Sequence, residues 1–271
     1  MFRTSNPLLK EKAFDRKAYL TGADPKSMMT VEGTINRALV LLALLILSSL
    51  AAAVMATRNP ATILPMILVG IMIGLPLAFI VSFKPNLAPI LAPIYAVVEG
   101  IIVGPISMLY EAGAISSRPG AYSSSGRGQM LQQTLQSGIV LQAIGLTIAV
   151  FGLILVLYRA RILRATPTFT KVVVLMTGGI FIFYMVNLVL VLGFNTRAFP
   201  FLHEGTPIGI LFSLFVVGLA AMNFVLDFDV IERGANEGAP KFMEWYAAFG
   251  LLVTIIWLYL EILRLLNKLR R

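Results

Sequence analysis

Apolar residues in this chain fall into seven long, almost unbroken runs, with short polar breaks between them. The runs cover roughly residues 36–57, 61–83, 87–110, 135–158, 170–194, 207–226 and 244–266. A helix crosses the hydrocarbon core of a bilayer with about 20 residues, so each run is long enough to span. None alternates with period two, and helices are therefore predicted rather than barrel strands. Arg58-Asn59-Pro60 and Lys84-Pro85-Asn86 read as minimal turns, and Arg159, Arg161 and Arg164 mark a basic one. The longest break runs to about residue 133 and includes Ser116-Ser117-Arg118-Pro119-Gly120. Its Gly and Ser content favours a mobile loop over a folded domain. Residues 1–35 are polar and mixed in charge. They lack the early apolar stretch of a secretory signal and read as a retained tail, leaving residues 36–271 as the membrane domain.

Composition agrees with the pattern. Of 271 residues, 58% are apolar and 13% charged, where a soluble domain has about 45–50% and about a quarter. That excludes a soluble enzyme, a disulfide-stapled secreted domain and a disordered chain. No cysteine is present, so there is no disulfide framework and no thiol nucleophile. The single histidine, His203, lies in a short loop and cannot form an imidazole cluster for a metal. The chain has no GxSxG, no HExxH, no phosphate-cradling GxxxxGK and no paired aspartyl-protease motif. No catalytic residue and no cofactor are expected, and the partner of the chain is the lipid bilayer rather than nucleic acid.

The net charge of +9 has to be placed before it has meaning. With a cytoplasmic N-terminus, 14 Lys and Arg lie on the inner side and 8 on the outer side, four of the latter in the last eight residues. The excess of basic residues inside sets orientation, so the N-terminus is expected in the cytoplasm. The basic C-terminus opposes that assignment.

Two small-xxx-small patterns, Gly70 with Gly74 and Gly100 with Gly104, let helix backbones approach closely. They read as packing within one bundle, so a monomer is expected, with a homodimer face as the alternative. Pro65, Pro76, Pro93 and Pro105 lie within the second and third runs, where proline bends helices.

Five carboxylates stand out as ion- or proton-sensing candidates. Glu99 lies near the middle of the third run, too deep to snorkel, and must face the bundle interior. It is an ion or proton site, or a buried hydrogen-bonding tie between helices. Asp227 and Asp229 end the sixth run and point about 200° apart on a helix. Asp229 is spaced to pair with Arg233, and solvated helix-end charges are the plainer account of both. Glu244 opens the seventh run, where a carboxylate suits the positive end of the helix dipole. Glu261 lies near the far end of that run, able to snorkel or to pair with Arg264. Gln142 and Asn187 sit mid-run and are expected to form interhelical hydrogen bonds.

The run Asn223-Phe224-Val225-Leu226-Asp227-Phe228-Asp229-Val230-Ile231-Glu232, then Gly238-Ala239-Pro240, then Trp257-Leu258-Tyr259-Leu260-Glu261-Ile262-Leu263-Arg264 carries a resemblance. With Val98-Glu99-Gly100 and Gly104-Pro105-Ile106-Ser107, it resembles the bacterial YccA/Bax-inhibitor family, a branch of the transmembrane Bax-inhibitor-motif proteins. The resemblance implies an all-α bundle of six helices around a central seventh, in the bacterial cytoplasmic membrane. It implies a pH-sensitive calcium leak channel or, alternatively, a regulator that binds a membrane-embedded AAA protease. In leak-channel members an aspartate ending helix six shares a proton with one in helix seven. The first carries over to Asp229. The second falls on Thr254, which cannot titrate, although Glu261 lies on the same helix face about 10 Å further on. The acidic site expected here is Asp229 with Glu99, Glu244 or Glu261, with Ca²⁺ near Asp229 and Glu99 and flux blocked at low pH.

Overall fold

Thr30 starts the first helix. Its backbone is extended and its hydroxyl accepts from the Gly33 N–H at 2.9 Å, satisfying one of the free donors of the first turn. Helix α1 therefore runs Val31–Arg58, beginning five residues before the expected start. Pro60 and Pro85 open two one-turn 3₁₀ segments, Pro60–Thr62 and Pro85–Leu87, because a ring that fixes φ and lacks an N–H is well placed there. These turns lead into α2, Ile63–Phe83, and α3, Ala88–Ser116. The remaining helices are α4 (Ile139–Arg159), α5 (Pro167–Phe194), α6 (Pro207–Asn236) and α7 (Met243–Leu269). The computed structural model describes residues 28–116, 138–194, 199 and 205–270. The expected tail up to residue 27, most of the Gly/Ser-rich loop and His203 lie outside the described residues.

All seven helices are long and apolar enough to cross a membrane. Their outer faces support this reading. Leu47, Met72, Leu141, Leu175 and Ile208 are all more than 60% exposed, and exposed apolar side chains on every helix suit lipid rather than water. Helix α7 buries the largest share of its apolar stretch and α2 and α5 the smallest.

The sixth helix extends ten residues past its expected end at residue 226, so that Asp227, Asp229, Glu232 and Arg233 are all helical. The Asp229–Arg233 ion pair, one turn apart, supports that extension. Gly238, at φ +70°, then supplies the left-handed residue that stops the helix. Pro65 falls in the first turn of α2, where it removes no helical bond. Pro76, Pro93 and Pro105 lie inside their helices.

The chain divides into two compact units. The first comprises Met1–Met108 and Phe224–Thr254, the second Leu109–Asn223 and Ile255–Arg271. Both small-xxx-small patterns are used inside the first unit. A Cβ on Gly70 would strike Ile102 of α3, and one on Gly74 would sit 3.5 Å from Glu99 Oε2. A Cβ on Gly100 would strike Ser48 Oγ and come within 2.6 Å of the Leu45 carbonyl of α1, and one on Gly104 would strike the Ser49 carbonyl. The obstacle at Gly104 is backbone, which cannot step aside. Gly104→Val is therefore expected to cost about 1–3 kcal/mol and to lower the melting temperature in detergent, whereas an equally large substitution at the open Gly145 should not.

Candidate functional site

In the first unit, Asp227 lies in the last third of α6 and faces α7. Its Oδ1 is 4.0 Å from where a Gly250 Cβ would stand, and the Thr254 hydroxyl is the polar side chain beside it. That hydroxyl hydrogen-bonds the Asp227 carboxylate and also lies 3.2 Å from the Gly250 carbonyl of its own helix. Asp227 Oδ2 is buried and has no hydrogen-bond partner. A carboxyl oxygen in that state is costly unless something is to meet it. The missing side chain at Gly250 leaves the space in front of the carboxyl open.

Asp229, two residues on, points away to Arg233, with Glu232 and Glu237 nearby. Its side chain is about one-fifth exposed. The acidic site expected from Asp229 with Glu99 or Glu244 is not formed among the described residues. The α6 aspartate that meets position 254 is Asp227. The register between two helices decides this, and sequence spacing within α6 does not contain it.

Glu99 is half-buried on α3. Its Oε2 lies against Gly74 of α2, and Tyr95, one turn earlier, donates its hydroxyl to the carboxylate. Tyr95 is itself buried and packs edge-on to Phe249 of α7, with ring centroids 5.0 Å apart. The glycines of α2 thus form a groove whose occupants are Ile102 and Glu99, one turn apart on α3.

Glu244 has a larger role than dipole compensation. It is fully buried. Its Oε1 accepts from the backbone N–H and the hydroxyl of Thr30 at 3.0 and 2.9 Å, and Lys241 Nζ lies 2.9 Å from the same oxygen. Arg37 approaches its Oε2 at 3.8 Å while stacking over the Trp245 ring. The carboxylate therefore joins the beginnings of α1 and α7.

The second unit contains a separate ionic cluster. Glu261 is buried and paired with Arg264, whose Nη1 lies 2.8 and 2.9 Å from the two carboxylate oxygens. The Tyr184 hydroxyl donates to Glu261 at 3.0 Å and accepts from Arg264 at 2.6 Å, with the guanidinium over its ring. Tyr110 also accepts from Arg264. Glu261 is thus paired, not snorkelling.

Sequence reasoning missed two buried groups here. Lys268 donates to the Gly209 carbonyl and to Ser213 Oγ, both at 2.9 Å, in the first turns of α6. Glu111, on α3, accepts from the Val140 N–H at 3.1 Å through Oε2, while its Oε1 is buried without a partner. Helix α4 is preceded by Gly138, which has no side chain to cap it, and Glu111 takes over that task. Of the two mid-run amides, Gln142 accepts from Arg270 at 2.8 Å. The expected bond does not reach the Asn187 carbonyl oxygen, which is buried without a partner. No group of three metal-ligating side chains occurs among the described residues.

A family profile described as Bax inhibitor 1 like matches residues 6–271. The chain belongs to the Bax inhibitor 1 like family. No curated protein and no solved structure matches it. In this Bax inhibitor 1 like protein a hydroxyl, Thr254, stands beside the Asp227 carboxyl.

Proposed function

We propose that this protein is a cation leak pathway in the bacterial cytoplasmic membrane, with its N-terminus cytoplasmic, passing Ca²⁺ under the control of protonation. The observation that carries this reading is the buried, unpartnered Oδ2 of Asp227, whose other carboxyl oxygen lies beside Gly250. When ionised, that oxygen offers a hard ligand of the type Ca²⁺ takes, and the Thr254 hydroxyl offers a second. When protonated, it has no charge with which to draw a cation in. Low pH therefore lowers the flux. Glu99 is a further carboxylate inside the membrane, held by Tyr95, and serves as a second cation or proton site. Asp229 stays with Arg233 at the end of α6 and does not contact the ion.

The test is calcium entry into liposomes that carry an internal indicator. Purified protein should admit Ca²⁺ faster than protein-free vesicles, and acidification should slow the entry. Asp229→Asn should change neither the rate nor its pH profile. Entry no faster than in empty vesicles would rule out the pathway.

A further inference from the structure

Three residues precede α1 in an unusual attachment. Met28 forms an isolated antiparallel bridge with Pro240, and the Met29 N–H donates to the Ala239 carbonyl at 2.6 Å. Met28 Sδ lies 3.4 Å from where a Cβ on Gly238 would stand. Thr30 then gives both its N–H and its hydroxyl to Glu244. Residues 28–30 therefore grip the connection between α6 and α7 and the first residue pair of α7, without belonging to any helix themselves.

The grip has one centre. Glu244 can be buried because donors and cations converge on it from three places: Thr30 before α1, Arg37 on α1 and Lys241 in the α6–α7 turn. It also needs space, which Gly33 provides. A Cβ at Gly33 would collide with all three atoms of the Glu244 carboxylate. A short extended segment held by a few hydrogen bonds opens at much lower free energy than the helices beside it. Its release would leave a buried carboxylate short of two donors, which favours movement of the start of α7.

We propose that residues 28–30 are a strap latched on Glu244 that holds the α6–α7 hairpin closed, and that unlatching it frees the first turns of α7. Gly250 and Thr254, which face Asp227, lie about 9 and 15 Å along α7 from Glu244, so the strap controls the opening of that carboxyl site. This consequence rests on the leak reading, while the latch itself does not. With the N-terminus cytoplasmic, the strap lies on the cytoplasmic face, directly after the tail.

Gly33→Ala separates the strap from a plain helix effect. Alanine has a higher helix propensity than glycine, so if only α1 mattered, the variant would be more stable and otherwise unchanged. The strap predicts the reverse: the Met29 and Thr30 amides, which donate to Ala239 and Glu244, lose protection from hydrogen exchange, and calcium entry rises several-fold. Thr30→Val, which removes one hydroxyl and keeps the shape, should do the same more weakly and stands in if Gly33→Ala does not fold. Because the chain has no cysteine, Met28→Cys with Pro240→Cys gives a single defined crosslink in the full-length protein. Oxidation should hold calcium entry low and reduction should restore it. Unchanged protection of the two amides in both variants would overturn the latch. Flux identical in the oxidised and reduced crosslinked protein would overturn its control of the site. If the wild type passes no calcium, the leak reading fails alone, and amide exchange still decides the latch.

Discussion

Asp227→Asn is expected to hold calcium entry at the low level that the wild type shows in acid, and to remove its pH dependence. Asparagine has nearly the shape of aspartic acid and carries no charge, so it reproduces the protonated carboxyl while leaving the packing against Gly250 intact. The Thr254 hydroxyl keeps its bond to the Gly250 carbonyl, and nothing else near the site has to rearrange. A stability change within about 1 kcal/mol is expected, which separates loss of flux from loss of fold. Thr254→Val gives the complementary result. It removes the neighbouring hydroxyl but no charge, so flux should fall while its dependence on pH remains. Liposome flux measured across pH for wild type, Asp227→Asn, Asp229→Asn and Thr254→Val distinguishes the two aspartates directly. If Asp229→Asn removes the pH dependence and Asp227→Asn does not, the assignment made from the geometry is wrong.

Which of these two aspartates faces the seventh helix shows where sequence reading stops. The seven spans were legible because crossing a bilayer forces about 20 apolar residues into one run. The Asp229–Arg233 and Glu261–Arg264 pairs were legible because both partners lie on one helix, at spacings that bring side chains together. Asp227, Glu99 and Glu244 were visible as carboxylates in apolar surroundings, but their partners Thr254, Gly74 and Thr30 lie on other elements. Only the rotation and register of packed helices reveal those partners. The glycine patterns gave a partial signal, since Gly74 proved to be the seat of Glu99, and Gly33, which belongs to no such pattern, the seat of Glu244. Glu111 and Lys268 were missed because their partners include main-chain groups of distant helices, which no side-chain motif marks. For Glu111 a hint existed: it precedes a Gly/Ser-rich loop whose next helix begins after a glycine unable to cap it.

Arg264→Ala is expected to destabilise the protein by about 3–5 kcal/mol, the usual cost of removing one member of a buried ion pair. Glu261 would remain buried with only the Tyr184 hydroxyl donating to it, and Tyr184 would lose the guanidinium stacked on its ring. Most of the loss comes from the stranded carboxylate and not from the missing attraction, and this gives the prediction its internal control. Glu261→Gln combined with Arg264→Met removes both charges and keeps most of the volume, so the double variant should recover much of the stability lost in Arg264→Ala. Melting temperatures of the three proteins in one detergent, at one concentration, provide the comparison. Recovery in the double variant means that the cluster contributes packing and placement of α7 against α5. A double variant as unstable as Arg264→Ala would mean that the ion pair itself supplies the stability, and that Tyr184 and Tyr110 cannot hold α7 without it. Tyr184→Phe tests the same point from the other side. It keeps the ring beneath Arg264 and removes the 3.0 Å bond to Glu261, and should cost about 1–3 kcal/mol through the donor that Glu261 loses.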